Sequence, residues 1–196
     1  KVVSHQRDDD VKKWDIFLSY RVSADEDLVR ELYWQLCHRT VVANGKERRL
    51  RVFWDRECLK TGEKWEEGFA DAICSCHLVV LVMSRAAFVM EGSHNVTTLA
   101  EDSRCDNVLL EYNLALELNK FNNTAIMPLL VGDKDGSGQY THFFRSECMP
   151  KLQEHVVVRQ ISEKVEGYLE HYAGVAREQI PKRQSVKAVM DSVTQF

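Results

Sequence analysis

The residue best placed to do chemistry in this sequence is a glutamate on an apolar helix face. Apolar residues recur with helical spacing over residues 108–121. At 100° per residue, Glu111 lies beside Ala115 and Leu118, on the side opposite Glu117. We therefore expect Glu117 to be a solvated carboxylate, and Glu111 to lie in a more apolar environment.

A carboxylate on an apolar stripe costs free energy unless it is ion-paired, hydrogen-bonded or lining a cleft. Two interpretations of Glu111 follow. It can be a structural residue, at the rim of the helix or paired with a basic side chain such as Arg21. Alternatively, it can be a functional carboxylate that faces a ligand. Helix geometry alone leaves both open.

Further candidates follow the predicted strands, where ligands of parallel α/β sheets bind. Tyr20 and Arg21 end the first strand, and the guanidinium could hold a phosphate or remain a surface group. Asp55 ends the second strand, where it either contacts substrate or caps the loop. Ser84 ends the third strand and either binds a ligand or caps the next helix. Trp65 either stacks on a substrate ring or anchors the second helix.

Composition excludes several classes of protein. The 196 residues carry a net charge of −4, which argues against a dedicated nucleic-acid binder. A basic cluster over residues 46–51 is read as a solvated turn. The longest apolar run, Leu78 to Met83, is far shorter than the roughly 20 residues that span a bilayer, so we expect no membrane partner. The 6 scattered cysteines are expected to be reduced thiols in a cytoplasmic protein.

The common cofactor motifs are missing from the sequence. It contains no G-x-G-x-x-G, no G-x-x-x-x-G-K-[ST] and no G-x-S-x-G. Cys74, Cys76 and His77 lack a second ligand pair that would complete a zinc tetrahedron, so a buried structural role is favoured for Cys76. We expect no metal and no resident cofactor.

Strands and helices alternate along the chain. Strand patterns at residues 15–20, 51–54, 78–83, 125–131 and 156–158 are separated by amphipathic segments. This alternation predicts an α/β, flavodoxin-like fold, with a five-stranded parallel sheet in the order 2-1-3-4-5 and helices on both faces. Pro128 indicates that the fourth strand lies at a sheet edge or contains a bulge. A narrow apolar stripe over residues 186–193 indicates either an extra C-terminal helix or the start of a linker.

Three segments together carry a resemblance to a known family. They are Asp15-Ile16-Phe17-Leu18-Ser19-Tyr20, Asp55 to Gly62 with its D-x-x-x-L-x-x-G spacing, and the Val80-Leu81-Val82-Met83-Ser84 strand end. In this order they resemble the Toll/interleukin-1 receptor (TIR) domain. The resemblance implies a polar lead-in over residues 1–13, a TIR domain over residues 14–173 and a C-terminal extension over residues 174–196.

The resemblance implies an enzymatic activity in one branch of the family. Those TIR domains cleave NAD+ between nicotinamide and ribose with a glutamate on the helix after the third strand, which here is Glu111. Nicotinamide leaves as a neutral molecule, so one carboxylate that favours the developing oxocarbenium ion suffices. NAD+ is then a substrate, and the products are nicotinamide and linear or cyclic ADP-ribose. Asn107 replaces a tryptophan that many NAD+-cleaving relatives carry, so an aromatic wall must come from elsewhere.

The resemblance also implies partners. TIR domains associate with one another, here through the loop formed by Leu59, Lys60, Thr61, Gly62, Glu63 and Lys64, and self-association would activate NAD+ cleavage in immune or cell-death signalling. The alternative is a non-catalytic signalling adaptor that acts by the same homotypic contacts.

Overall fold

Alternating apolar patterns become alternating strands and helices in the computed structural model, which describes residues 12–59, 65–89, 96–134, 137, 140–142, 152 and 154–196. The elements, in chain order, are β1 (Trp14–Ser19), α1 (Val22–Cys37), β2 (Thr40–Ala43), β3 (Lys46–Arg49), β4 (Val52–Phe53), α2 (Asp55–Cys58), α3 (Trp65–Cys74), β5 (Cys76–Ser84), α4 (Arg85–Val89), α5 (Asn107–Asn122), β6 (Ala125–Val131), β7 (Asp133–Lys134), β8 (Tyr140–His142), β9 (Val156–Val158), α6 (Glu163–Ala173), a 3₁₀ turn (Arg177–Gln179), β10 (Arg183–Ser185) and α7 (Val186–Val193).

The central sheet is parallel, with the order β4-β1-β5-β6. Phe17 of β1 lies in register with Phe53 on one side and Val79 on the other. This confirms the α/β class and the predicted order of the first four strands. β5 is buried from Val79 to Met83, as its continuous apolar run requires. Within the described residues β6 is an edge strand, which is where a strand tolerates Pro128.

The fifth predicted strand exists but pairs differently. β9 pairs antiparallel with β10, Val157 being opposite Gln184, and a single parallel bridge joins Val158 to Arg104. In the described part of the chain the parallel sheet therefore has four strands rather than five. The apolar run at β9 predicts a strand, but its partner, the polar segment Arg183–Ser185, has no strand pattern that the sequence could reveal.

Helices cover both faces of the sheet, as predicted. Ile16 and Leu18 of β1 belong to a buried cluster that includes Val29 of α1. Phe17, on the other face, belongs to a larger cluster that includes residues of α3, α5, α6 and α7. Because strand side chains alternate, Ser19 at the end of β1 is on the same face as Phe17 and therefore faces α5.

α5 is held at both ends and buried on several sides. The Asp106 side chain caps its first turn by accepting a hydrogen bond from the Val108 N–H (2.7 Å), and Asn123 closes it in the left-handed conformation with φ 58°. The expectation of a solvated Glu117 is wrong. Its carboxylate is buried against the Arg159 guanidinium, with 2.8 Å between Nη2 and Oε2. Helical angles give the direction of a side chain but not what packs against it. Because α6 and α7 also pack on this helix, more than one of its sides is buried.

The basic cluster is not a solvated turn, as the sequence suggested, because most of it is strand β3. It forms a hairpin with β2, closed by Asn44 (φ 52°) and Gly45 (φ 72°). Arg48 and the backbone N–H of Arg51 both bind the Asp15 carboxylate. These contacts hold the pKa of Asp15 well below its usual value, against the desolvation that would raise it.

The C-terminal segment packs against the core. Ser185 caps α7, and Val186, Val189, Met190 and Val193 of that helix are buried in the larger cluster. The five described cysteines are free thiols. No helix within the described residues is long and apolar enough to cross a membrane.

Candidate active site

A cleft of about 450 Å³ opens at the carboxyl ends of β1 and β4. The parallel arrangement brings the residues that follow these two strands next to the first turns of α5. Four of the predicted catalytic and substrate-binding residues line the cleft together, namely Tyr20, Arg21, Asp55 and Glu111. They come from three separate segments of the sequence, and the topology alone unites them.

Glu111 lies in this cleft. Its Oε2 accepts a hydrogen bond of 2.6 Å from the Ser19 hydroxyl. Desolvation is the main cause that raises the pKa of Glu111 to about 8; Asp55 and Asp106 raise it further, while Ser19 and Arg21 lower it. The carboxyl group thus lies where it can meet a ligand and where a positive charge would favour its ionised form.

Arg21 is not the ion-pair partner of Glu111 that one interpretation suggested. Its guanidinium is paired with Asp106, the N-cap of α5. The Asp106 side chain is 2 % exposed and the Arg21 side chain 15 % exposed. Arg21 also lines the cleft, so its positive charge lies beside any ligand bound there.

A hydrogen-bonded chain positions Asp55. The Trp54 indole N–H donates to the Tyr20 hydroxyl (2.9 Å), which in turn donates to Oδ1 of Asp55 (2.8 Å). Burial is the main cause that raises the pKa of Tyr20 above its usual value, and the Asp55 carboxylate adds to it. Tyr20 therefore stays a neutral donor, and Asp55 is held at the start of α2 with its carboxylate beside the cleft.

Aromatic walls come from the sheet and α3. Phe17 and Phe69 line the cleft, and each is 2 % exposed. Asn107, which the sequence analysis identified as standing in place of a tryptophan, also lines the cleft. Apolar walls of this kind exclude water and strengthen the charge interactions inside the cleft.

Ser84 is not part of the lining described for this cleft. Its hydroxyl donates to Oδ2 of Asp25 (2.9 Å) and accepts from the Ala87 N–H (3.1 Å). The second contact is the capping role that the sequence left open. Burial is the main cause that raises the pKa of Asp25.

The loop candidates are only partly described. Leu59 lines the cleft and packs against the larger core cluster. Lys60, Thr61, Gly62, Glu63 and Lys64 lie outside the described residues. Trp65 begins α3, but its side chain is not described.

Sequence reasoning missed Ser19 and Asp106 as site residues. Ser19 could have been found from strand alternation, which puts it on the α5 face of β1. Asp106 could have been found as a capping residue directly before the helix that carries Glu111. Among the described residues no group of three His, Cys, Asp or Glu side chains could hold a metal ion.

The cleft therefore combines two carboxyl groups, one guanidinium and aromatic walls. The carboxyl groups of Glu111 and Asp55 favour a positive charge on a ligand, whereas Arg21 favours a negative one. A family model described as TIR domain matches residues 16–155, which include every residue that lines the cleft. A search of curated proteins finds no match.

Proposed function

This chain belongs to the TIR domain family, and we propose that its cleft binds NAD+ and cleaves the bond between nicotinamide and ribose. The observation that carries the proposal is the Glu111 carboxyl group, hydrogen-bonded to Ser19 inside a cleft with aromatic walls. Such a group is costly to bury, and a cationic ligand would offset that cost.

The electrostatics of the cleft fit this substrate. The nicotinamide ring of NAD+ carries a positive charge, and the ribose acquires one as the glycosidic bond breaks. Desolvation is the main cause that raises the pKa of Glu111, and repulsion from Asp55 and Asp106 raises it further. A bound cation relieves this repulsion and draws Glu111 into its anionic form.

Each step uses groups on the chain or on the substrate. The electron pair of the glycosidic bond leaves with nicotinamide, which departs neutral and needs no proton. The Glu111 carboxylate stabilises the oxocarbenium ion and can accept a hydrogen bond from a ribose hydroxyl. Water attack, with loss of a proton, then gives ADP-ribose; attack by the adenine ring of the same molecule gives a cyclic product.

The test is the release of nicotinamide from NAD+ by the full chain, followed by chromatography. Glu111→Gln keeps the size of the side chain and removes its charge, so we expect turnover to fall by about 10²–10³-fold. Glu178→Gln removes an exposed carboxylate outside the cleft and should leave turnover unchanged. Equal turnover in wild type and Glu111→Gln would exclude the role given to Glu111.

The second candidate function is a signalling adaptor that acts through TIR–TIR contacts. It is favoured by Leu59, which connects the cleft lining directly to the predicted assembly loop. An adaptor would leave NAD+ intact at high protein concentration, while substitutions in that loop still abolish self-association.

A further inference from the structure

A second cleft lies at the opposite end of the sheet from Glu111. Residues of the β2–β3 hairpin line it together with Asp15 and His77, each of which is the second residue of its strand. We call it the amino-end cleft, because strands β1 and β5 begin there. Its volume of about 470 Å³ is within the range of small-molecule sites, about 300–1,000 Å³. Among the described residues it shares no lining residue with the candidate active site.

The β2–β3 hairpin presents an apolar and cationic face to the amino-end cleft. Val41 lies opposite Arg48 in the hairpin register, and Ala43 is on the same face because strand side chains alternate. All three residues line the cleft. The one carboxylate of the hairpin, Glu47, is on the other face, where it accepts a hydrogen bond of 2.8 Å from the Thr40 hydroxyl. The hairpin therefore contributes a positive charge to the cleft and no negative one.

Positive charge exceeds negative charge in the amino-end cleft. Arg48 and Arg51 both line it, and Asp15 is the only carboxylate among the lining residues that the structure describes. Arg48 binds that carboxylate with Nη2 at 2.7 Å, whereas the Arg51 side chain approaches it only to 3.4 Å. The Nε of Arg51 is buried and has no hydrogen-bond partner in the described part of the chain. Asp15 thus neutralises one guanidinium, and the charge of the second remains for a ligand.

We propose that the amino-end cleft binds a phosphate monoester, with its phosphate at Arg51 and an apolar group against Val41 and Leu50. A guanidinium can donate two parallel N–H bonds to phosphate oxygens. A phosphate monoester carries roughly two negative charges near pH 7, which suits a cleft with an excess of positive charge better than a single carboxylate does. The cleft is a second site, independent of the proposed cleavage of NAD+. A soluble phosphate ester and a phosphorylated lipid headgroup share this chemistry.

The test is calorimetric titration of the full chain with phenyl phosphate. Arg51→Gln removes the guanidinium but keeps the backbone N–H that binds Asp15 at 2.7 Å, so we expect a folded variant that binds about tenfold more weakly. Arg177→Gln is the matched control, since Arg177 is also half-exposed and paired with a carboxylate, that of Glu170 at 3.3 Å, and it lies outside the cleft. It should bind like wild type. Absence of saturable binding by wild type, or equal binding by the two variants, would overturn the proposal.

A gain of affinity distinguishes a ligand site from a purely structural cluster. Asp15→Asn removes the negative charge that competes for Arg48 and Arg51, and its amide oxygen can still accept hydrogen bonds. We expect the variant, with its fold checked by circular dichroism, to bind phenyl phosphate about three- to tenfold more tightly than wild type. Phenylacetate, with a similar ring and one negative charge, should bind wild type about tenfold more weakly than phenyl phosphate does. Equal binding of the two compounds, or no gain in folded Asp15→Asn, would contradict a phosphate monoester site.

Vesicles identify the source of the phosphate. The chain is sedimented with phosphatidylcholine vesicles that contain or lack a monophosphorylated phosphoinositide. Sedimentation that requires both the phosphoinositide and Arg51 would support the site and assign it to a lipid headgroup. Binding of phenyl phosphate without sedimentation would support the site and assign it to a soluble ester, and absence of both would overturn it. None of these measurements uses nicotinamide release, so their failure is distinct from failure of the proposed NAD+ cleavage.

Discussion

At the residue scale, the ionisation of Glu111 determines how the proposed reaction responds to pH. Its pKa of about 8 means that much of the free protein carries a neutral Glu111 at pH 7. The reaction requires the anion, and kcat/KM reports ionisation of the free enzyme. We expect kcat/KM for NAD+ to rise with pH and to level off only above pH 8, because Glu111 is half ionised at its pKa. A profile that is flat between pH 6 and 9 would contradict the role of Glu111 as the reacting anion.

The Ser19 hydroxyl adjusts this profile because its hydrogen bond favours the ionised carboxylate. In Ser19→Ala the rising limb should move to higher pH by about one unit, which lowers kcat/KM about tenfold at pH 7. Ser84→Ala is the matched control, since Ser84 is also buried at a strand end and bonded to a carboxylate, that of Asp25. A uniform loss of activity at every pH in Ser19→Ala would indicate a purely structural role.

Glu111 also makes the stability of the fold depend on pH. Between pH 4.5 and 8 the folded state retains a proton that the unfolded state has released, so stability falls as pH rises through this range. Glu111→Gln cannot titrate. The free energy of unfolding of Glu111→Gln minus that of wild type, measured in urea, should therefore increase by on the order of 1–3 kcal/mol from pH 5 to pH 8. A constant difference at the two pH values would show that Glu111 has an ordinary pKa in the folded protein.

At the element scale, local patterns predicted most of the sheet and part of the site. The apolar run of β5 and the helical spacing of α5 predicted a strand and a helix without knowledge of which segments pack against them. Ligands of parallel α/β sheets bind beyond the carboxyl ends of the strands. This rule was enough to predict that Tyr20, Arg21 and Asp55 lie in one site, without any knowledge of distances. The predictions failed where the answer depended on a distant segment, as for β9, whose partner Arg183–Ser185 is polar, and for Glu117, whose partner is Arg159.

The buried Glu117–Arg159 ion pair holds α5 at a residue outside the cleft lining. Glu117→Gln leaves a buried guanidinium without its counter-charge, and we expect a loss of about 3–5 kcal/mol in the free energy of unfolding. Lys187→Gln, which breaks the exposed pair with Asp191, should change the free energy of unfolding far less, because solvent screens an exposed ion pair. The double variant Glu117→Leu/Arg159→Met should recover much of the loss, because it removes both charges. Equal effects of the buried and exposed single variants would contradict this account of α5.

At the scale of the whole molecule, the proposed catalysis and the proposed TIR–TIR association involve residues at the same end of the sheet, where β1 and β4 finish. Leu59 belongs both to the cleft lining and to the predicted assembly loop, so association can alter the cleft through that residue. If association activates cleavage, nicotinamide released per molecule should rise with protein concentration rather than stay constant. This is measured by following turnover and light scattering over the same dilution series.

Two variants separate assembly from chemistry. Glu111→Gln should associate like wild type but release little nicotinamide, because it changes a charge inside the cleft and leaves the loop intact. Gly62→Pro restricts the loop backbone, so we expect it to lower association and turnover together. Turnover per molecule that is independent of concentration in wild type, and unchanged in Gly62→Pro, would mean that a single copy of the chain holds a complete and active cleft.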